Sequence, residues 1–70
     1  MPKLPGVNHL VAVRAFQKAG FVIRRQGKHI IMAKDGRVIV IPRHNPVNAI
    51  TMAAVVRDAG LTIDEFKALL

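Results

Sequence analysis

The dipeptide Asp35-Gly36 constrains the fold of this chain more than any other feature of the sequence. It separates two apolar runs that are rich in β-branched residues, Ile30–Lys34 and Arg37–Ile41. Asp-Gly between two such runs is the strongest short-range signal for a β-hairpin with a two-residue turn. The sequence therefore predicts an antiparallel hairpin across these two runs.

A two-residue turn also sets the register of the hairpin. The predicted pairs are Lys34 with Arg37, Met32 with Ile39 and Ile31 with Val40, and His29 falls near Pro42 at the open end. His29 is then expected beside Arg43 and His44. Because both faces of the hairpin are apolar, the alternation of residues does not show which face meets the rest of the core.

The remaining elements follow from caps and periodicity. A helix is predicted from Asn8 to Ala19, a strand at Phe21–Ile23 between Gly20 and Gln26-Gly27, and a second helix from Ala49 to Ala59. A capping box at Thr62–Glu65, with Leu61 and Phe66 placed for a hydrophobic staple, predicts a short third helix. The expected fold class is α+β: helix, three-stranded antiparallel sheet, helix and short C-terminal helix.

Length and composition restrict the chemistry further. We expect residues 1–70 to form a single domain, and a chain of 70 residues buries too little surface to enclose a large cofactor. It has no Cys, Ser, Tyr or Trp, which excludes disulfides, thiolate zinc sites and Ser, Cys or Tyr nucleophiles. Three His residues without suitably spaced carboxylates argue against a metal site, so neither metal nor cofactor is expected. The start lacks a signal-peptide pattern and no apolar run approaches the ~20 residues of a membrane span, so we expect a cytoplasmic protein.

The charge of the chain is strongly positive and unevenly distributed. Eleven Lys and Arg residues against four acids give a formal net charge of +7. Six of the basic residues fall between positions 24 and 43: Arg24, Arg25, Lys28, Lys34, Arg37 and Arg43. Such a surface attracts a polyanion through phosphate contacts, although it could also serve only to keep an apolar chain in solution. With three Phe and no other aromatic residue, base stacking is not expected to contribute much.

Several motifs, in order along nearly the whole chain, resemble one protein family. They are Leu4-Pro5-Gly6, Lys18-Ala19-Gly20-Phe21, Arg25-Gln26-Gly27-Lys28-His29, Asp35-Gly36-Arg37 leading to Ile41-Pro42-Arg43-His44, and Arg57-Asp58-Ala59-Gly60-Leu61 with Glu65-Phe66. Each motif is weak alone, but together and in this spacing they are similar to the HicA (YcfA-like) mRNA interferase toxins.

This resemblance implies a fold similar to the double-stranded RNA-binding domain, cleavage of mRNA, and a HicB-like antitoxin as partner. It also implies a catalytic histidine, which maps onto His29. The chain departs from the family at Lys28, where a small residue is usual, and at Ala49-Ile50, where Lys-Gly often precedes the residue matching Thr51. The second departure removes a cation and a flexible residue from a helix N-terminus, a natural place for a phosphate.

One histidine can suffice for RNA cleavage because RNA supplies its own nucleophile, the 2′-OH. We expect His29 to accept that proton. We expect Arg24, Arg25, Lys28, Arg43 and His44 to contact the RNA. His9 is expected to be a solvated residue in the first turn of its helix.

Two further functions stay open at this point. One is a non-catalytic RNA-binding module of the same fold. The other is a protein-interaction subunit whose basic face meets an acidic partner. Binding and cleavage assays on RNA would separate both from a metal-independent endoribonuclease.

Overall fold

The computed structural model describes residues 6–70. The element order is helix α1 (His9–Lys18), strands β1 (Val22–Gln26), β2 (His29–Lys34) and β3 (Arg37–Pro42), helix α2 (Ala49–Asp58) and helix α3 (Ile63–Leu69). The strands form one antiparallel sheet in the order β1-β2-β3. The α+β class and the order of elements are as predicted and are compatible with a fold of the double-stranded RNA-binding type. The expected motif residues Leu4 and Pro5 lie outside the described residues.

The central hairpin has the predicted turn and register. Asp35 and Gly36 both have positive φ, 48° and 83°, which is the conformation that a two-residue hairpin turn of the I′ type requires. Lys34 pairs with Arg37 at the turn and His29 pairs with Pro42 at the open end. His29 therefore lies at the end of the sheet farthest from the turn.

The helix ends also agree with the caps in the sequence. The Asn8 side chain accepts a hydrogen bond from the Leu10 amide, and the predicted capping box between Thr62 and Glu65 is present in both directions. The N-cap of α2 is Asn48, whose side chain accepts from the Thr51 amide. These side chains satisfy amides that would otherwise lack a partner at the start of each helix.

Strand β1 is longer than the apolar run that predicted it. Phe21 precedes the strand and is buried in the core, and the strand continues through Arg24, Arg25 and Gln26. The pairing with β2 shifts between Ile23 and Arg25, which indicates a β-bulge. Because β1 is an edge strand with a solvated outer face, its polar half shows no apolar pattern in the sequence.

The structure resolves which face of the hairpin meets the core. Ile30, Met32, Ile39 and Ile41 are buried beneath the helices. They pack with the three phenylalanines, of which Phe16 is central, with ring centroids 5.7 Å from that of Phe21 and 5.0 Å from that of Phe66. All three aromatic rings are thus committed to the core, and the opposite face of the sheet is left to solvent.

Candidate active site

His29 is exposed at the first position of β2, on the outer face of the sheet. It belongs to the tight turn that joins β1 to β2, in which the Gly27 amide donates to the His29 carbonyl over 3.1 Å. With alternation along the strand, His29 and Ile31 share a face. The imidazole is therefore accessible to a large substrate.

A shallow groove surrounds His29. Its volume is about 550 Å³ and it is lined by Arg25, Gly27, Lys28, His29, Ile31 and Val40. Arg25 reaches this face because the bulge in β1 makes it the pairing partner of Ile31. The structure thus brings together three of the predicted site residues, Arg25, Lys28 and His29.

Arg43 approaches the same turn from the neighbouring strand. Its Nε donates a hydrogen bond of 2.7 Å to the carbonyl oxygen of Gly27. Arg43 follows Pro42, the pairing partner of His29, so this contact ties the end of β3 to the turn that carries His29. We predicted that Arg43 contacts RNA, and the structure shows that it holds the turn. The other N–H groups of its guanidinium are not used in this bond and can donate to a phosphate.

The other two histidines meet through the backbone of His44. The His44 carbonyl accepts from the backbone amide of His9 over 3.3 Å and lies 3.1 Å from its Nδ1. A hydrogen bond between these two atoms requires the tautomer with its proton on Nδ1, because a carbonyl oxygen only accepts. His9 lies in the first turn of its helix as predicted, and its side chain is partly exposed. The contact of its ring with the His44 carbonyl was not predicted. The His44 side chain is exposed and is not among the residues that line the groove with His29.

Two helices begin at the same end of the molecule as His29. The hydrogen bonds between His9 and His44 place the start of α1 there. The start of α2 lies at this end too. Val47, which precedes the N-cap of α2, forms an isolated β-bridge with Val7, which precedes the N-cap of α1. Neither helix has an acidic residue in its first turn. The partial positive charge of both helix N-termini is therefore not neutralised from within.

The opposite end of the molecule holds the helix C-termini and the remaining cations of the basic cluster. Lys34 Nζ donates to the Ala19 carbonyl at the end of α1, and Arg37 Nη1 donates over 3.4 Å to the Asp58 carbonyl at the end of α2. Cations are stabilising at helix C-termini. Lys34 and Arg37 therefore have structural partners and are poor candidates for binding RNA.

Three of the six basic residues between positions 24 and 43 make no side-chain hydrogen bond within residues 6–70, namely Arg24, Arg25 and Lys28. All four acids of the chain lie elsewhere, namely Asp35 in the hairpin turn, Asp58 at the end of α2, and Asp64 and Glu65 at the start of α3. The end that carries His29 is thus a region of uncompensated positive charge, which is suited to phosphates.

Arg24 lies farther along the sheet than Arg25. It lines a second groove, of about 590 Å³, with Val22, Ala33 and Val38. We predicted Arg24 and Arg25 as one pair of RNA contacts, and the structure places them on the same face but in different grooves.

Residues 6–70 include no group of three or more His, Cys, Asp or Glu arranged to hold a metal ion. No helix in this range has the length and hydropathy needed to cross a membrane.

Gly27 has a structural part in the candidate site that the sequence analysis did not predict. Its carbonyl accepts the hydrogen bond of Arg43, and its amide donates to the His29 carbonyl. The sequence held two signals for it, namely its place in the motif that ends at His29 and the register that put Arg43 beside His29.

A protein-family model matches most of this chain. The sequence model of the family described as "HicA toxin of bacterial toxin-antitoxin" matches residues 12–61, more than half of the chain. The matched range includes all three strands, the His29 turn and α2. No curated protein sequence matches the chain.

Proposed function

Because the chain belongs to the HicA toxin family of bacterial toxin–antitoxin systems, we propose that its toxic activity is metal-independent endonucleolytic cleavage of mRNA at His29. Messenger RNA is met in the cytoplasm, which is where the proposal places the protein. The observation that carries the proposal is the groove in which exposed His29 lies with Arg25 and Lys28.

The reaction needs no nucleophile from the protein. The 2′-oxygen of the substrate attacks the adjacent phosphorus, the bond from phosphorus to the 5′-oxygen breaks, and a 2′,3′-cyclic phosphate forms. His29 accepts the proton of the 2′-OH, and the departing 5′-oxygen takes up a proton from the imidazolium or from water. Positioned proton transfer of this kind contributes about 10² to 10⁴-fold to a rate.

The cations supply the second contribution. Negative charge accumulates on the phosphate oxygens as the 2′-oxygen attacks. Arg25 and Lys28 line the groove of His29, so their positive charges stabilise that transition state. Arg24 and His44 bind flanking phosphates in this proposal, outside the groove itself.

The test is His29→Ala in a cleavage assay on a defined mRNA transcript. Cleavage should be lost while the circular dichroism spectrum and most of the RNA affinity persist, because other residues make the phosphate contacts. The same assay in EDTA should retain activity. RNA binding without cleavage by the unmodified protein would instead assign the chain as a non-catalytic RNA-binding module.

Membership of a toxin–antitoxin family implies an antitoxin. We propose that this partner, HicB-like by the resemblance, silences the toxin by covering His29 and presenting carboxylates to Arg25, Lys28 or Arg43. Charge complementarity of this kind speeds association and selects the partner. Diethyl pyrocarbonate, which modifies accessible imidazoles, should modify His29 in the free toxin and not in the complex. Equal modification in both would contradict occlusion.

A further inference from the structure

The outer face of the sheet carries a row of apolar side chains. Val22 in β1, Ala33 in β2 and Val38 in β3 are paired across the three strands, so they form one row on one face. Val22 is 55% exposed and Val38 is 59% exposed. We call these three residues the valine row.

The valine row lies away from the proposed active site. Ala33 is four residues along β2 from His29, a distance of about 13 Å at the rise of a strand. The row lines the 590 Å³ groove, and the groove of His29 has a different set of lining residues apart from Ile31. The outer face therefore carries the valine row and His29 in separate grooves.

Binding of RNA does not account for the exposed side chains of the valine row themselves. Proteins bind single-stranded RNA through phosphate contacts and through stacking on aromatic rings. The valine row offers neither a hydrogen-bond donor nor an aromatic ring, and the three phenylalanines are buried. A contiguous exposed apolar patch is more typical of a surface that another protein covers.

We propose that the valine row is a docking surface for the antitoxin that RNA cleavage does not use. The inference rests on the toxin–antitoxin assignment, and it adds a second contact region to the proposed occlusion of His29. Arg24, Lys34 and Asp35 line the same groove as the valine row, and the Lys34 ammonium is bound to the Ala19 carbonyl. Arg24 is thus the cation at this border that a partner can pair with. The matching partner is an apolar segment with an acidic side chain placed against Arg24.

A second copy of this chain fits the surface poorly. Two chains that each carry a formal charge of +7 repel each other. An acidic antitoxin segment gains from the same charge, which is why the partner and not a copy is assigned to the valine row.

Three variants test this assignment. Val38→Glu places a negative charge in the row, Val38→Lys places a positive charge there, and Leu70→Glu is the matched control. Leu70 is 45% exposed at the C-terminal end of α3, which lies beside the end of α1. Its replacement removes an exposed apolar side chain outside the row and away from the His29 end. Each toxin is measured for binding to the protein encoded by the adjoining reading frame, for RNA cleavage and for thermal unfolding.

The expected pattern separates the two activities. Val38→Glu should weaken antitoxin binding at least about 30-fold, as loss of a central apolar contact does, and Val38→Lys should weaken it less because an acidic border attracts lysine. Leu70→Glu should bind as the unmodified toxin does. All three should cleave RNA within about threefold of the unmodified rate, since none of the three changes lies in the groove of His29.

Other outcomes would overturn the assignment. Unchanged antitoxin binding by a folded Val38→Glu toxin would remove the row from the interface. A parallel loss of RNA cleavage, with binding of the antitoxin intact, would assign the row to RNA. Self-association of the unmodified toxin in sedimentation velocity, abolished by Val38→Glu, would assign it to a second copy. If the unmodified toxin cleaves RNA but does not bind the adjoining gene product, the assignment of an antitoxin to the valine row is wrong. The proposed nuclease activity is not affected by that result.

Discussion

Replacement of Arg43 tests whether the turn that carries His29 must be held in place for catalysis. The Arg43→Ala change removes the 2.7 Å hydrogen bond from Nε to the Gly27 carbonyl. Gly27 then keeps only its bond to the His29 carbonyl, 3.1 Å long, within the turn itself. The turn loses its side-chain link to the end of β3, while His29 keeps its pairing with Pro42. Gly27 and Lys28, which precede His29, are then held less firmly relative to the imidazole.

The structure sets the size of the two expected effects. A solvent-exposed hydrogen bond from a charged donor contributes about 1 kcal/mol to stability, which corresponds to a fall of about 4–8 °C in the melting temperature of a domain this small. A catalytic group displaced by about 1 Å can cost on the order of 10²-fold in rate. We therefore expect a 10 to 100-fold loss of kcat from a protein that remains folded.

The assay compares kcat and KM on a defined transcript with hydrogen exchange of the turn. Arg43→Ala should lower kcat with little change in KM, and exchange at Gly27 and His29 should become faster. Arg25→Ala is the matched control, since Arg25 has no hydrogen bond to the turn and its loss should leave the exchange unchanged. A different result would refute this reasoning: a higher KM for Arg43→Ala with kcat and hydrogen exchange unchanged, and a normal KM for Arg43→Lys. Arg43 would then be a phosphate contact.

Two further predictions concern the basic face and the helix ends. The double change Arg24→Ala with Arg25→Ala should reduce the slope of log K against log salt for RNA by about 1.4 to 1.8, which corresponds to two lost phosphate contacts; an unchanged slope in a salt titration would exclude both residues from the interface. Gly60 has a φ of 78°, and an added Cβ would lie 2.8 Å from Cζ of Arg37. Gly60→Ala should therefore lower the free energy of unfolding, measured by urea denaturation, by at least about 1 kcal/mol. Gly27→Ala is the control, since its Cβ would meet nothing within 4 Å, and equal stability of the two variants would contradict the steric argument.

The features that the sequence predicted correctly are those with a local physical cause. The turn at Asp35-Gly36 requires positive φ at both positions, and the register of the hairpin follows from the turn alone. The caps at Asn8 and Thr62 are likewise interactions between residues two or three positions apart. These parts of the fold could be predicted without knowledge of tertiary contacts.

The features that were missed depend on contacts distant in sequence. The extension of β1 through Arg25 depends on pairing with β2, and the anchoring of His9 depends on a residue 35 positions away. The division of the basic residues into helix-capping and available cations likewise depends on where α1 and α2 end. For Lys34, the Ala19 carbonyl that it binds lies 15 residues earlier in the chain. Composition alone could not separate it from Arg25.

The structure therefore places fewer residues at the candidate site than the sequence predicted. Arg25, Lys28 and His29 share one groove, and Arg43 supports the turn between them. His44 contributes its backbone to the position of α1. The assignment of His29 as the proton acceptor stays a prediction.

Cleavage of an RNA with a single 2′-deoxy nucleotide tests the central claim most directly. The deoxy nucleotide is placed on the 5′ side of the bond that the unmodified toxin cuts, so only the proposed nucleophile is removed. We expect no cleavage at that bond, normal cleavage of the all-ribose control, and a 2′,3′-cyclic phosphate end on the control product by mass spectrometry. Cutting of the 2′-deoxy substrate at the same bond would contradict attack by the 2′-oxygen, and with it the role of His29 as its proton acceptor.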